Sequence, residues 1–461
     1  MAPLSKYRLI VGKKPTYNER RAAAFLIEKI KVVTGHAIPV FTDDSPITPY
    51  EIIVGGTDRE SSLGVSFSRE RERLYEYEIR CVDERLFVTG LGTSEDIFKE
   101  PYGAYTPVLD CGLGTYYAAM RFCEKVLGYD FTYVSDFDAL VDRDADDIMI
   151  NGDCALLMCE KKLRDERPVL FDGAAMYSVP ATSGFDMTRS CFVFKSVSGE
   201  LIVYDGGRRD DASHVVDVLE YISNGKKPKV SAWLLSQLRP SHSGVLCEIC
   251  ENAALAERVE ISDVYCNPMT KKFYTEIGLV KGEKADVLSY DRDIILNVRK
   301  YLGATLHTPE ARDTVSVGEF SAEVIHTPCD AIKKYEKVTN NDACTVYRIV
   351  YNGEQSILLL GDGEKYTARA LEALGKELKS DILQIGHHGR ASISEKCLRA
   401  IDADVYIAQT TNKIWYSEES SSARVYIYRT RRYIREMGKK RENVYRDTEG
   451  ILSFPLPVRV K

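Results

Sequence analysis

Histidine is scarce in this chain, 7 residues in 461. A His-rich dinuclear metal centre would consume most of them. Long apolar runs are missing too. Ser356-Ile-Leu-Leu-Leu-Gly361 is typical of the longest, and nothing approaches the ~20 residues that cross a bilayer. A membrane-spanning helix is therefore not expected. Met1-Ala-Pro-Leu-Ser-Lys-Tyr7 carries no secretory apolar core, so the expected compartment is the cytoplasm. Strong charge of either sign is absent: the formal net charge is -7. Such mild acidity argues against a general nucleic-acid or membrane-surface binder. The 12 cysteines follow no repeated spacing, as expected of reduced, half-buried thiols. Cys247-x-x-Cys250 is the one close pair. With no second such pair nearby, it reads as packing rather than zinc or redox chemistry. No internal repeat or low-complexity tract appears.

What is present is ordinary globular composition, 44% hydrophobic and 28% charged, at a length that predicts two or three domains. Residues 1–140 read as a small α+β domain. Tyr7–Val11 is a strand, and Asn18 is expected to cap a helix running to Val33. Ala22, Phe25, Leu26, Ile30 and Val33 recur at helical spacing, and Thr34-Gly35 stops the run. Further strands are expected at 38–41, 51–54, 76–80 and 85–88, and a second helix at 115–127. Residues 141–180 read as a connector, with the charge cluster Asp142–Asp147 as a boundary. Residues 181–461 form the second unit. Its strands are expected at 190–195, 200–204, 229–235, 344–350, 355–360 and 381–385. Asn352-Gly353 between two apolar runs signals a hairpin. Helices are expected at 212–223 and 366–378. This alternation of strands and helices suggests stacked α/β layers.

The order of elements in residues 1–140 resembles the small domain that precedes the catalytic barrel in α-glucuronidases and β-hexosaminidases. The matching pieces are Arg20-Arg21-Ala22 through Gly35, Glu51-Ile-Ile-Val-Gly55, and Gly114-Thr115-Tyr116 through Tyr129. No barrel-sized segment with paired catalytic carboxylates accompanies it.

In the second unit four pieces align in order and spacing. They are Asp205-Gly206-Gly207 after a hairpin, Val230–Leu235 followed by 236–244, Asn340–Val346 running to Leu360-Gly361-Asp362, and Leu378 through Gly386-His387-His388-Gly389. Together they resemble the metallo-β-lactamase superfamily, most closely the hydrolase domains of bacterial DNA-uptake channels. The resemblance implies an α/β fold, an αββα sandwich. It also implies metal-assisted attack by hydroxide on a carbonyl or phosphorus centre, with zinc as the expected ion. Family members cleave lactams, thioesters, lactones and phosphodiesters, so the small-molecule or anionic substrate is left open.

The family's His-x-His-x-Asp-His loop is degenerate here. Gln237 and Arg239 stand at its first two histidines, Ser241 at its aspartate, and only His242 remains. A guanidinium is permanently charged and cannot ligate a cation. The first metal pocket is thus expected to be empty, with Arg239 supplying positive charge in its place. The second keeps His242, Asp362 and one of His387 or His388, with Ser241 able to hold a water. Arg239, Ser241 and Asp362 are the expected catalytic residues. His242, Asp362, His387 and His388 are the candidate ligands. By the same resemblance, Asp205 braces the loop. Asp362 otherwise reads as a helix cap before Tyr366, and the paired histidines as a tight loop bonding backbone. His326 reads as a loop residue. His36, His214 and His307 read as structural or surface residues.

Two functions from different classes follow: a one-metal hydrolase, or a non-catalytic relative that binds an anionic ligand or a protein through Arg239. Nine Lys/Arg and four tyrosines between Arg424 and Arg446 read first as an amphipathic helix with a solvated charged face, with a grip on single-stranded nucleic acid as the lesser alternative.

Overall fold

The computed structural model describes residues 2–70, 73, 75–92, 113–129, 143–182, 188–269, 283–328, 341–390, 393–416, 427–448 and 450–460. Asp142, Asn340 and residues 424–426, invoked above, lie outside the described residues. The chain divides into two compact units, Met1–Lys162 and Leu163–Lys461. The stretch read as a connector contributes to both. Met149–Ile150 and Leu156–Met158 are strands of the first, and Ala175–Ser178 is a strand of the second.

The first unit is built on strands β1 (Arg8–Val11), β2 (Val40–Thr42), β3 (Glu51–Val54), β4 (Tyr77–Val82), β5 (Arg85–Gly90) and β6 (Leu156–Met158), in the order β2-β1-β3-β5-β4-β6. Helices α1 (Tyr17–Thr34) and α2 (Leu113–Phe122) accompany the sheet. The start of α1 corrects the sequence expectation. Thr16, not Asn18, is the cap. Its side chain accepts from Glu19 N while Glu19 reaches back to Thr16 N, a reciprocal pair that satisfies two otherwise orphaned donors. Gly35 ends the helix in the left-handed conformation, as expected.

The second unit holds two seven-stranded sheets. The first comprises β7 (Ala175–Ser178), β8 (Cys191–Lys195), β9 (Leu201–Asp205), β10 (Lys229–Leu234), β11 (Glu260–Tyr265), β12 (Thr305–His307) and β20 (Leu452–Pro455), in the order β12-β11-β10-β9-β8-β7-β20. The second runs in chain order through β13 (Thr314–Val317), β14 (Phe320–His326), β15 (Val346–Tyr351), β16 (Gln355–Leu359), β17 (Ile382–Gln384), β18 (Val405–Ala408) and β19 (Val444–Arg446). Strand alternation explains how the sheets stack. In β8 and β9, Phe192, Phe194, Ile202 and Tyr204 meet Tyr347, Ile349, Ile357 and Leu359 of the other sheet. Their neighbours Cys191, Val193, Leu201 and Val203 point the other way. There they meet α3 (Ala212–Ile222), α4 (Pro240–Glu251) and α5 (Glu283–Leu296). Strands buried on both faces read as continuous apolar runs, as these do. Helix α6 (Lys365–Glu372) packs on β14, and α7 (Glu395–Ile401) packs on α6 and α8 (Ile427–Glu436), giving helix, sheet, sheet, helix layers.

One further expectation is corrected. His326 is the last residue of β14 and buried, not a loop residue. The basic, tyrosine-rich stretch is divided between α8 and the edge strand β19, with Tyr445 packed edge-on against Phe454. Among the described residues no helix is long and apolar enough to cross a membrane.

Candidate metal centre

The site forms where strands of both sheets end, the place where α/β sheets present ligand groups. From the first sheet, β9 ends at Asp205, whose backbone is left-handed (φ 56°). This turns its buried carboxylate across the end of β10. There it accepts from Ser236 N at 2.8 Å and Ser236 Oγ at 2.9 Å. After the loop 235–239, Pro240 opens α4, and His242 sits in the first turn, fully buried. From the second sheet, β16 ends at Leu360-Gly361-Asp362. Gln384 at the end of β17 accepts from Leu360 N and Gly361 N, fixing that turn. Gly361 is required by geometry. Its φ is 58°, and a Cβ there would lie 2.9 Å from Ser236 Cβ. The chain then passes through two consecutive left-handed non-glycine residues, His387 (φ 46°) and His388 (φ 56°), a rare and strained arrangement of the sort that marks functional turns.

Side chains from the two sheets meet at Asp362. His242 lies between two carboxylates, its Nδ1 2.8 Å from Asp205 Oδ2 and its Nε2 3.0 Å from Asp362 Oδ2. Gln237 Nε2 donates to the same Asp362 oxygen at 2.9 Å and lies 3.0 Å from His242 Nε2. Its amide oxygen is buried and has no hydrogen-bond partner among the described residues. His388 Nε2 is 3.2 Å from Asp362 Oδ1, and its Nδ1 is 3.1 Å from the carbonyl of Gln409. His242, Asp362 and His388 each offer a ligand atom within 4.8 Å of the other two.

The electrostatics follow from burial and proximity. Burial works against charge on His242, but the carboxylates of Asp362 and Asp205 outweigh it and raise the imidazole to about 10. Burial alone would raise Asp362; the imidazoles of His242, His388 and His387 instead take it well below the usual carboxylate range. Burial lowers His388, with Asp362 opposing.

Each residue singled out in the sequence can now be placed. Arg239 Nη1 stands 4.0 Å from Asp362 Oδ2 and donates to Asn341 Oδ1; its side chain is 38% exposed. His387 turns away from the buried cluster. Its Nδ1 is 3.0 Å from Glu364 Oε1, and Asn341 Nδ2 donates to that same oxygen at 2.7 Å. Ser241 occupies the first turn of α4 and its carbonyl accepts from Ser190 N. Its hydroxyl makes no hydrogen bond to His242, Asp362 or His388 among the described residues. Helix α6 begins at Lys365 with Glu364 in the cap position, so Asp362 is free of capping duty. The sequence reading missed Gln409, Asn341, Glu364 and the donor role of Gln237. Only Asn341 carried a signal, in the quoted segment before Val346.

The donor set suits one ion and not two. His388 stands between two acceptors, a carbonyl and a carboxylate. A neutral ring can donate to only one of them, leaving a lone pair against the other. His242, between two carboxylates, meets that need by carrying a second proton, which a cation bound at its Nε2 would displace. Arg239 cannot add a ligand, since a guanidinium has no lone pair to give, and among the described residues His242, Asp362 and His388 are the one group of His, Cys, Asp or Glu side chains close enough to hold an ion.

No family model matches the chain, and neither does any curated protein. Among solved structures, the chain is similar to the metallo-beta-lactamase fold protein YhfI from Bacillus subtilis, at 12% identity over 61% of this chain and 99% of that one, TM-score 0.35. It is similar to CmlA, a diiron beta-hydroxylase from Streptomyces venezuelae, at 11% identity over 62% of this chain and 54% of that one, TM-score 0.37. It is also similar to BJP-1, a subclass B3 metallo-beta-lactamase of Bradyrhizobium japonicum, at 18% identity over 48% and 78% of the two chains, TM-score 0.30.

Proposed function

We propose that the second unit is a metal-assisted hydrolase of the metallo-β-lactamase superfamily that works with a single divalent ion, zinc being the first choice. The observation that carries this reading is the pair of histidines, each bracketed by two acceptors and meeting at Asp362. His242, Asp362 and His388 would hold the ion. An ion held there supplies Lewis acidity and lowers the pKa of water.

The chain's own residues do the rest. Asp205 accepts from His242 Nδ1 and the Gln409 carbonyl from His388 Nδ1, so both rings would present Nε2 to an ion once His242 gives up its Nε2 proton. Gln237 holds the Asp362 carboxylate by one oxygen. Arg239, at the exposed rim, is positioned to stabilise negative charge developing on a carbonyl or phosphoryl oxygen. His387, held by Glu364 rather than by the cluster, is left out of the ligand set.

One observation favours a second reading. Asp362 Oδ2 already receives a hydrogen bond from Gln237 and faces Arg239, so fixed donors neutralise it without an ion. A non-catalytic binder of anions would use the same arginine.

Metal analysis separates the two. Protein purified without chelator, then loaded with zinc or manganese and desalted, is expected to retain close to one ion per chain. Asp362→Ala is expected to retain none. Absence of bound metal after loading would refute the hydrolase reading.

A further inference from the structure

We propose that Gln409, clamped by Ser178, Ser190 and Asp447, is a positioning residue for His388, an inference that rests on the one-ion reading above. His388 projects from a left-handed turn rather than from a helix or strand, so regular backbone does not fix its ring. The ring is held at Nδ1 by the Gln409 carbonyl, 3.1 Å away, and faces Asp362 with Nε2. The direction of that carbonyl therefore decides where Nε2 points.

Gln409 follows β18 of the second sheet, yet its side chain is spent entirely on the first. Its Nε2 donates to Cys191 O at 2.7 Å and to Ser178 Oγ at 3.0 Å, and its Oε1 accepts from Ser190 Oγ at 3.0 Å. The next peptide is pinned as well. Thr410 N donates to Asp447 Oδ1 at 3.2 Å, and Ser178 Oγ donates to Asp447 Oδ2 at 3.1 Å. Gln409, Ser178, Ser190 and Asp447 are all buried. A buried amide with its side-chain bonds made on one sheet and its carbonyl turned to a ligand of the other has one rotamer, and so has the peptide plane. Ordinary satisfaction of buried polar groups would explain the side-chain bonds. It does not explain why the carbonyl of that same residue, and no water-exposed acceptor, receives the histidine.

The test uses the full chain and cobalt(II) as the probe, with three readouts: the dissociation constant by competition, the visible spectrum of the bound ion, and the nitrogen resonances of the histidine rings in the metal-free protein. Only 7 histidines are present, which keeps those resonances assignable. Gln409→Met and Asp447→Ala are expected to weaken cobalt binding about 10- to 100-fold, the usual effect of losing an outer partner of a ligand. Both should shift the spectrum and the His388 Nδ1 resonance. Asp447→Asn keeps an acceptor for Thr410 N and is expected to restore wild-type binding. Ile222→Ala, at the buried last residue of α3, should lower the urea midpoint and leave the dissociation constant unchanged. Should Gln409→Met not fold, Ser190→Ala, which removes one hydrogen bond, takes its place. Wild-type affinity and unshifted His388 resonances in folded Gln409→Met (or Ser190→Ala) and Asp447→Ala would overturn the inference. If the wild-type chain takes up no cobalt, the one-ion reading falls, and the His388 resonances alone decide the clamp.

Discussion

Gly244 lies in the second turn of α4, two residues after His242, and packs against the backbone that follows β9. A Cβ placed there would stand 2.7 Å from Arg209 N, 2.8 Å from Arg208 Cα and 2.9 Å from Arg208 C. Ordinary van der Waals contact begins at 3.4 Å, so Gly244→Ala must push helix and backbone apart by at least about 0.7 Å. The backbone at 208–209 does not yield easily. It leads into Asp211, which is paired with buried Arg189 and accepts from Thr182 N, and Val245 N donates to Gly207 O. Overpacking of this kind costs about 1–3 kcal/mol. Replacing a helical glycine by alanine returns about 0.5–1 kcal/mol. The net expectation is a loss of about 1–2 kcal/mol, read as a lower urea midpoint at unchanged slope. Because α4 carries His242, the same shift should move Nε2 relative to Asp362 and weaken metal retention at least about tenfold. Gly244→Ala that gains about 1 kcal/mol and binds metal as before would refute this account.

Three further perturbations have defined outcomes. Burial raises the Asp447 carboxyl from 3.8 to about 7, opposed by hydrogen bonds from Thr410 N and Ser178. A raised folded pKa means the stabilising share is complete below about pH 4 and is lost as pH rises through about 7, a span of roughly 4 kcal/mol at most. Asp447→Asn should flatten that fall in urea titrations between pH 5 and 8; an unchanged slope would show that another group governs it. Thr16→Ala should cost about 1 kcal/mol in the first unit alone, seen as faster amide exchange in the first turn of α1 with exchange in α4 unaffected. Gln237→His combined with Arg239→His restores two lone-pair donors beside Asp362 and should raise retained zinc from near one toward two per chain. A stoichiometry unchanged by the pair would show that these two positions do not form a pocket.

The sheets, the hairpin at Asn352-Gly353 and the helix at 212–222 were legible because apolar spacing and turn chemistry are local properties. So was the convergence on Asp362, since its strand end and the paired histidines carry a recognisable order. The choice between His387 and His388 was not legible. It depends on two successive left-handed residues, and nothing in the string Gly-His-His-Gly says which ring turns inward. Gln409 was invisible for a related reason. Its role is set by a backbone carbonyl and by partners more than 200 positions away, at Ser178, Ser190 and Cys191. The cap of α1 was available in Thr16-x-x-Glu19 but was overshadowed by Asn18, whose side chain instead accepts from Arg21.

Half of the cluster belongs to one slab of the sandwich and half to the other: Asp205, Gln237 and His242 on one side, Asp362, His388 and Gln409 on the other. Neither slab folded alone could recruit a cation. Occupancy would therefore report on closure of the two layers, and an ion captured by the closed form would act as a rivet, adding stability that grows with the logarithm of its affinity.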